Sequence, residues 1–114
     1  MDGFFRIAFT GIAGSGFGML VLRSGVIVGA DVAGATYDGS YIDNSATQAL
    51  EFQITMNAPA GITPVQTGIA ITEPMNMPIS GSIPLGNIAS ETPTLLQTPL
   101  GLVNVVFKKL RDFP

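Results

Sequence analysis

GFGMLVLRSGVIVGADVAGATYDGSY, residues 16–41, is the stretch that decides the fold. Apolar residues run in short segments of strand length, broken by Arg23-Ser24-Gly25 and again by Ala33-Gly34. Short apolar runs separated by glycine turns read as consecutive antiparallel strands, not as helices. The segment therefore predicts strands over about Gly16–Arg23, Val26–Asp31 and Thr36–Ile42. It carries no catalytic motif. The glycines of Gly11–Gly18 match neither a dinucleotide fingerprint nor a phosphate loop with its lysine, and they read as a hairpin turn plus a bulge.

The same period of two extends outward in both directions. Toward the N-terminus, Phe5, Ile7 and Phe9 alternate with Phe4, Arg6 and Ala8 over about Gly3–Thr10. Toward the C-terminus, Leu50, Phe52, Ile54 and Met56 alternate with Glu51, Gln53, Thr55 and Asn57, the pattern of a strand with one dry and one wet face. Further strands are predicted over about Val65–Glu73, with Ile69 and Ile71 inward, Met77–Leu85, and Leu100–Leu110, with Val103, Val105 and Phe107 inward. Pro78 and Pro84 place the Met77–Leu85 strand at an edge or in a broken ladder, because proline cannot donate to it. Gly86–Pro99 reads as a loop, long for a compact domain.

Eight short strands in 114 residues predict a single all-β domain, an eight-stranded antiparallel up-and-down barrel. Composition agrees. Hydrophobic residues make up 46% of the chain, which excludes disorder, and 14 glycines with 8 prolines suit turns better than helices. Charged residues are only 11%, against about 25% in an average globular chain. Five basic residues and a net charge of −3 leave no basic stripe for direct nucleic-acid binding. The uncharged run from Phe52 to Thr72 holds too many polar residues and prolines for a membrane helix, and the wet face of the Ala49–Asn57 strand argues against a lipid-facing barrel. The first residues lack the basic and apolar regions of a secretory signal, so a cytoplasmic location is the expectation.

The chain has no cysteine and no histidine, so disulfides, thiolate ligands and the common nucleophilic triads are unavailable. Asp31, Asp38, Asp43, Glu51, Glu73 and Glu91 are scattered and suggest no metal site; Asp31 and Asp38 near a turn read as backbone caps or solvated acids. No cofactor is expected. What remains is binding. Phe5, Ile7, Phe9, Leu50, Phe52, Ile54, Met56, Ile69, Ile71, Val105 and Phe107 form the inward set, either a filled core or the wall of a lumen for a small apolar molecule. Strand Gly16–Arg23 is apolar on both sides, Phe17, Met19 and Val21 against Leu20 and Leu22. Phe17, Met19, Leu20 and Leu22 are therefore candidates for a homodimer interface, with cover from Gly86–Pro99 as the alternative.

Asp2-Gly3-Phe4-Phe5 with Phe9, then Gly16-x-Gly18, an apolar strand, Gly25, Gly29-Ala30-Asp31 and Tyr37-x-Gly39-x-Tyr41 resemble the opening of the GrlR-like family of small bacterial regulators. The resemblance covers about the first 42 residues and then fades to a shared strand pattern. It implies a calycin-like, lipocalin-like dimeric barrel with an apolar cavity, and regulation by binding a transcription activator, without catalysis. Ala30 stands where the family has a second glycine, and Ile42-Asp43-Asn44-Ser45-Ala46-Thr47 lacks the acidic run through which the type member holds its partner. A lipocalin-like carrier of fatty-acid-like molecules is the rival expectation.

Overall fold

A computed structural model describes all residues, 1–114. It contains eight strands and one short helix: β1 (Gly3–Gly11), β2 (Gly14–Arg23), β3 (Val26–Asp31), β4 (Thr36–Asn44), β5 (Ala49–Ala58), β6 (Met75–Pro84), α1 (Leu85–Ser90), β7 (Thr94–Thr98) and β8 (Gly101–Arg111). All pairings are antiparallel, and the order across the sheet is β6-β5-β4-β3-β2-β1-β8-β7. The first six strands follow chain order and β8 returns to β1, which curls the sheet into a nearly closed barrel.

The decisive stretch folds as its glycines require. Arg23 pairs with Val26 across a two-residue turn in which Ser24 and Gly25 both take positive φ, 50° and 83°. Positive φ at both central positions gives the twist that a tight hairpin needs. The β1–β2 connection is as short, with Gly11 opposite Gly14 around Ile12 and Ala13.

The barrel is sealed differently along its last seam. β6 and β7 are the two sheet edges and share no ladder. Pro78 and Pro84 lie on β6, so the expected edge strand is where the prolines put it. Side chains close the gap: Leu96 of β7 reaches Gly81 of β6, where an added Cβ would stand 3.0 Å from Leu96 Cδ2. The α1 turn contributes Ile88, which is buried in the core.

Two sequence expectations need correction. Residues 65–73 form no strand. Pro59, Gly61, Pro64, Gly68 and Pro74 punctuate this connection, with Gly61 and Gly68 at φ 95° and 70°, so a regular ladder cannot run through it. It folds on itself instead, through Gly61 N–H to Ile71 O at 2.8 Å and Ile71 N–H to Ile62 O at 2.9 Å. Conversely, Gly86–Pro99 is not one loop. It holds most of α1 and all of β7, a five-residue strand that pairs only with β8.

Inward residues alternate as the sheet demands. Phe5, Leu20, Leu22, Ile27, Leu50 and Ile83 are essentially inaccessible, and Tyr37, Tyr41, Phe52, Ile54, Val105 and Phe107 pack with them. Burying each such side chain contributes about 1.5–3 kcal/mol to folding.

Candidate functional site

Antiparallel alternation puts four connections at one end of the barrel: β1–β2, β3–β4, β5–β6 and β7–β8. At that end a cavity of about 180 Å³ opens into the lumen. Its deep wall is apolar, built from Ile7, Leu20, Phe52, Ile54, Ile79, Leu96, Val103, Val105 and Phe107. Phe9 and Met56 line it nearer the mouth strands, and Ile62, Pro64 and Val65 of the β5–β6 connection lie across it.

That connection is a cover, tied down at two points. Ala13 N–H donates to Val65 O at 2.9 Å, and Gln66 Nε2 donates to Thr98 Oγ1 at 3.2 Å. Its Ile62 and Pro64 are buried, while its Val65 and Ile71 are half-buried against the core. Sixteen residues between β5 and β6 are thus spent on roofing one end of the lumen. Long ordered loops of this kind commonly carry function.

The polar lining is sparse and centred on Asp31. Its Oδ1 accepts from the backbone amides of Ala33 (3.0 Å) and Ala35 (3.1 Å), which shapes the β3–β4 turn. Its Oδ2 accepts from the Tyr37 hydroxyl at 2.6 Å. Tyr37 is 7% exposed, and burial, reinforced by the bond to Asp31, raises its phenol far above the ordinary value. The phenol stays protonated. Across the mouth, Thr98 Oγ1 donates to Gly101 O at 2.6 Å and accepts from Gln66 and from Leu100 N–H. No lysine or arginine lines the cavity.

Of the inward set read from the sequence, the structure brings Ile7, Phe9, Phe52, Ile54, Met56, Val105 and Phe107 to the cavity wall. Phe5 and Leu50 lie deeper in the core, outside the cavity. Ile71 packs on the core from the cover and Ile69 is 73% exposed, so Ile69 is not a lumen residue; neither lies on a strand, contrary to the sequence expectation. The residues missed include the wall residues Leu20, Tyr37, Ile79, Leu96 and Val103 and, at the rim, Ser15, Asp31, Val32, Ala33, Thr63, Gln66 and Thr98. The rim residues sit at strand ends (Ser15, Asp31, Thr98), in the β3–β4 turn (Val32, Ala33) and on the cover (Thr63, Gln66), where period-two reasoning has little to say. Only the spacing of Asp31 before a turn gave a signal, and that signal pointed to its backbone caps.

The interface set also divides. Phe17 and Met19 point outward and are 56% and 44% exposed. Leu20 and Leu22 are buried inside the barrel, and Leu20 lines the cavity, so neither can meet a second chain. Gly86–Pro99 does not cover Phe17 or Met19. Outside, Arg6, Phe17, Gly18, Met19, Ala30, Asp31, Val32 and Leu110 line a shallow groove, and Val26 and Val28 of β3 are about half exposed beside it. Comparison of the chain with family models, with curated proteins and with solved structures finds no match. No three acidic side chains converge on one point.

The far end of the barrel is a structural closure. Tyr41 donates its hydroxyl to Asp2 Oδ1, the same oxygen that accepts the Ser24 amide at 3.0 Å. The N-terminal ammonium pairs with Asp43 Oδ2 at 2.6 Å. These contacts tie residues 1–2 to β4 and to the β2–β3 turn.

Proposed function

We propose that this protein is a non-enzymatic binding barrel whose lumen takes a small apolar molecule. The observation that carries the reading is the cavity of about 180 Å³ in the barrel end, walled by aliphatic and aromatic side chains and roofed by an ordered cover. An apolar cavity of about 150 Å³ stays dry and binds benzene, so a space of this size and chemistry favours a ring-sized guest. It is below the roughly 300 Å³ at which drug-sized ligand pockets begin, so a long-chain fatty acid suits it poorly. Toluene titrated into the folded protein is expected to give saturable NMR shifts at Ile7, Phe52 and Val105. Absence of any saturable shift would overturn the reading.

A second reading rests on the outer surface. Phe17, Met19, Val26 and Val28 form an exposed apolar face on β2 and β3. Such a face supports self-association as a homodimer, or contact with a protein such as the transcription activator that the GrlR-like resemblance implies. Native mass spectrometry of freshly purified protein reads both proposals at once, as subunit number and as any small mass carried with it. A strictly monomeric protein at micromolar concentration would remove the homodimer.

A further inference from the structure

We propose that the lumen selects a ring-sized molecule carrying a hydrogen-bond-donating head, a hydroxyl or an ammonium, and rejects carboxylates, with Tyr37 and Asp31 as the receiving pair. The inference rests on the apolar-lumen reading and names its ligand class.

The hydrogen-bond inventory of the cavity carries the argument. Tyr37 has one hydroxyl hydrogen, and it is committed to Asp31 Oδ2. What the phenol oxygen retains is lone pairs, so toward a ligand it acts as an acceptor. The Asp31 carboxylate is acceptor-only as well. Thr98 Oγ1 has spent its hydrogen on Gly101 O. Gln66 Oε1 receives no hydrogen bond within the chain, while one of its amide hydrogens is given to Thr98. The side-chain donors left are the second amide hydrogen of Gln66 and the hydroxyls of Ser15 and Thr63 at the exposed rim, and on the cover the backbone amides of Thr63, Val65 and Gln66 make no hydrogen bond within the chain. At the Tyr37–Asp31 pair every hydrogen is committed, so what that pair offers a ligand is acceptors alone.

Charge points the same way. A carboxylate head would enter beside the Asp31 carboxylate, with no lysine or arginine in the lining to pair it. An unpaired buried anion next to a like charge is strongly disfavoured. An ammonium meets an opposite charge instead, and a hydroxyl satisfies the phenol oxygen without any charge to desolvate. Size fixes the body of the ligand at one ring with a short substituent.

The test compares four probes of one size on the full-length protein: toluene, benzyl alcohol, benzylamine and benzoate, titrated at neutral pH by NMR. At least one of benzyl alcohol and benzylamine is expected to bind tenfold or more tighter than benzoate. A smaller margin for both, with toluene still binding, overturns the head selectivity and leaves the apolar lumen standing. If none of the four binds, both proposals fall. Two variants localise the effect. Tyr37→Phe should keep toluene affinity and lose the preference for the alcohol. In Asp31→Asn the new amide can donate to the Tyr37 oxygen, which frees the phenol hydrogen to face the cavity. Benzoate should then gain at least tenfold relative to benzylamine. An unchanged ratio in that variant, with its fold intact by amide chemical shifts, also overturns the assignment.

Discussion

The ring of Phe9 lies so close to Gly16, its direct partner across β1 and β2, that a Cβ on Gly16 would stand 2.7 Å from the ring's Cζ and Cε2. Both residues line the cavity. The glycine therefore leaves room for an aromatic wall at the mouth of the lumen. Because the obstructing atoms are the far end of a side chain, the ring can move, and the nearest free space is the lumen. Gly16→Ala is expected to keep the fold and shrink the cavity. Toluene affinity should fall by about tenfold, equivalent to about 1.4 kcal/mol. NMR titration of the variant checks it, with thermal unfolding as the control on the fold.

Leu22 and Met19 lie on one strand and face opposite ways, so they separate stability from association. Leu22 is fully buried, and Leu22→Ala should cost about 2–5 kcal/mol through lost burial and the cavity left behind. Phe17→Ser with Met19→Ser alters only the outer face and should change stability by no more than about 0.5 kcal/mol per site. Denaturant unfolding measures both. If the β2–β3 face holds a dimer, the outer double variant alone should lower the mass seen by light scattering at fixed concentration.

The distribution of these residues shows how far the sequence could be read. Strands β1 to β5 are legible because Phe5/Ile7 and Leu50/Phe52/Ile54 alternate with other residues, and because the doubly apolar Gly16–Arg23 run is bounded by turns that only certain residues tolerate. Thr94–Thr98 was not, since its five residues stand between Pro93 and Pro99 and pair on one side only. Ile69 and Ile71 mimic a strand by alternating with Ala70 and Thr72, yet prolines and left-handed glycines around them break any ladder. The count of eight strands survives because one false strand and one missed strand offset each other. In the candidate site, the aliphatic wall follows from period two. The rim does not, because Asp31, Gln66 and Thr98 are brought together by turn geometry and by the path of the cover.

Gly11 holds the cover close. A Cβ there would sit 2.4 Å from the Val65 carbonyl oxygen and 2.9 Å from the Gln66 amide nitrogen, both backbone atoms that cannot rotate aside. Gly11→Ala should lift the segment and break the bond from Ala13 N–H to Val65 O, at a cost of about 1–3 kcal/mol. Hydrogen exchange at Ala13, Ile71 and Gly61 is expected to quicken while the β4–β5 ladder stays protected. Uniform quickening across the barrel would mean that the segment is an integral part of the core.

Tyr41 and Asp2 set the pH limits of the closed end. The Tyr41 hydroxyl, followed by the Ser24 amide, holds the Asp2 carboxyl below its ordinary value of 3.8. A lowered folded value means that this contribution is present above about pH 4 and is lost as pH falls through the folded value. For Tyr41 the sign reverses. Burial first, then the bond to Asp2, pushes its phenol up to about 12 from 10.0. Its contribution is complete below about pH 10 and fades as pH rises toward 12. Tyr37 and Tyr41 are the two tyrosines of the chain, and both are raised. Ultraviolet titration of the folded protein should therefore show almost no tyrosinate at pH 10, where a free phenol is half ionised. In Tyr41→Phe the Asp2 contribution loses its main source, so variant and parent should converge in stability as pH drops below about 4. A constant difference across that range would place the stabilisation in Tyr41 packing instead of its hydroxyl.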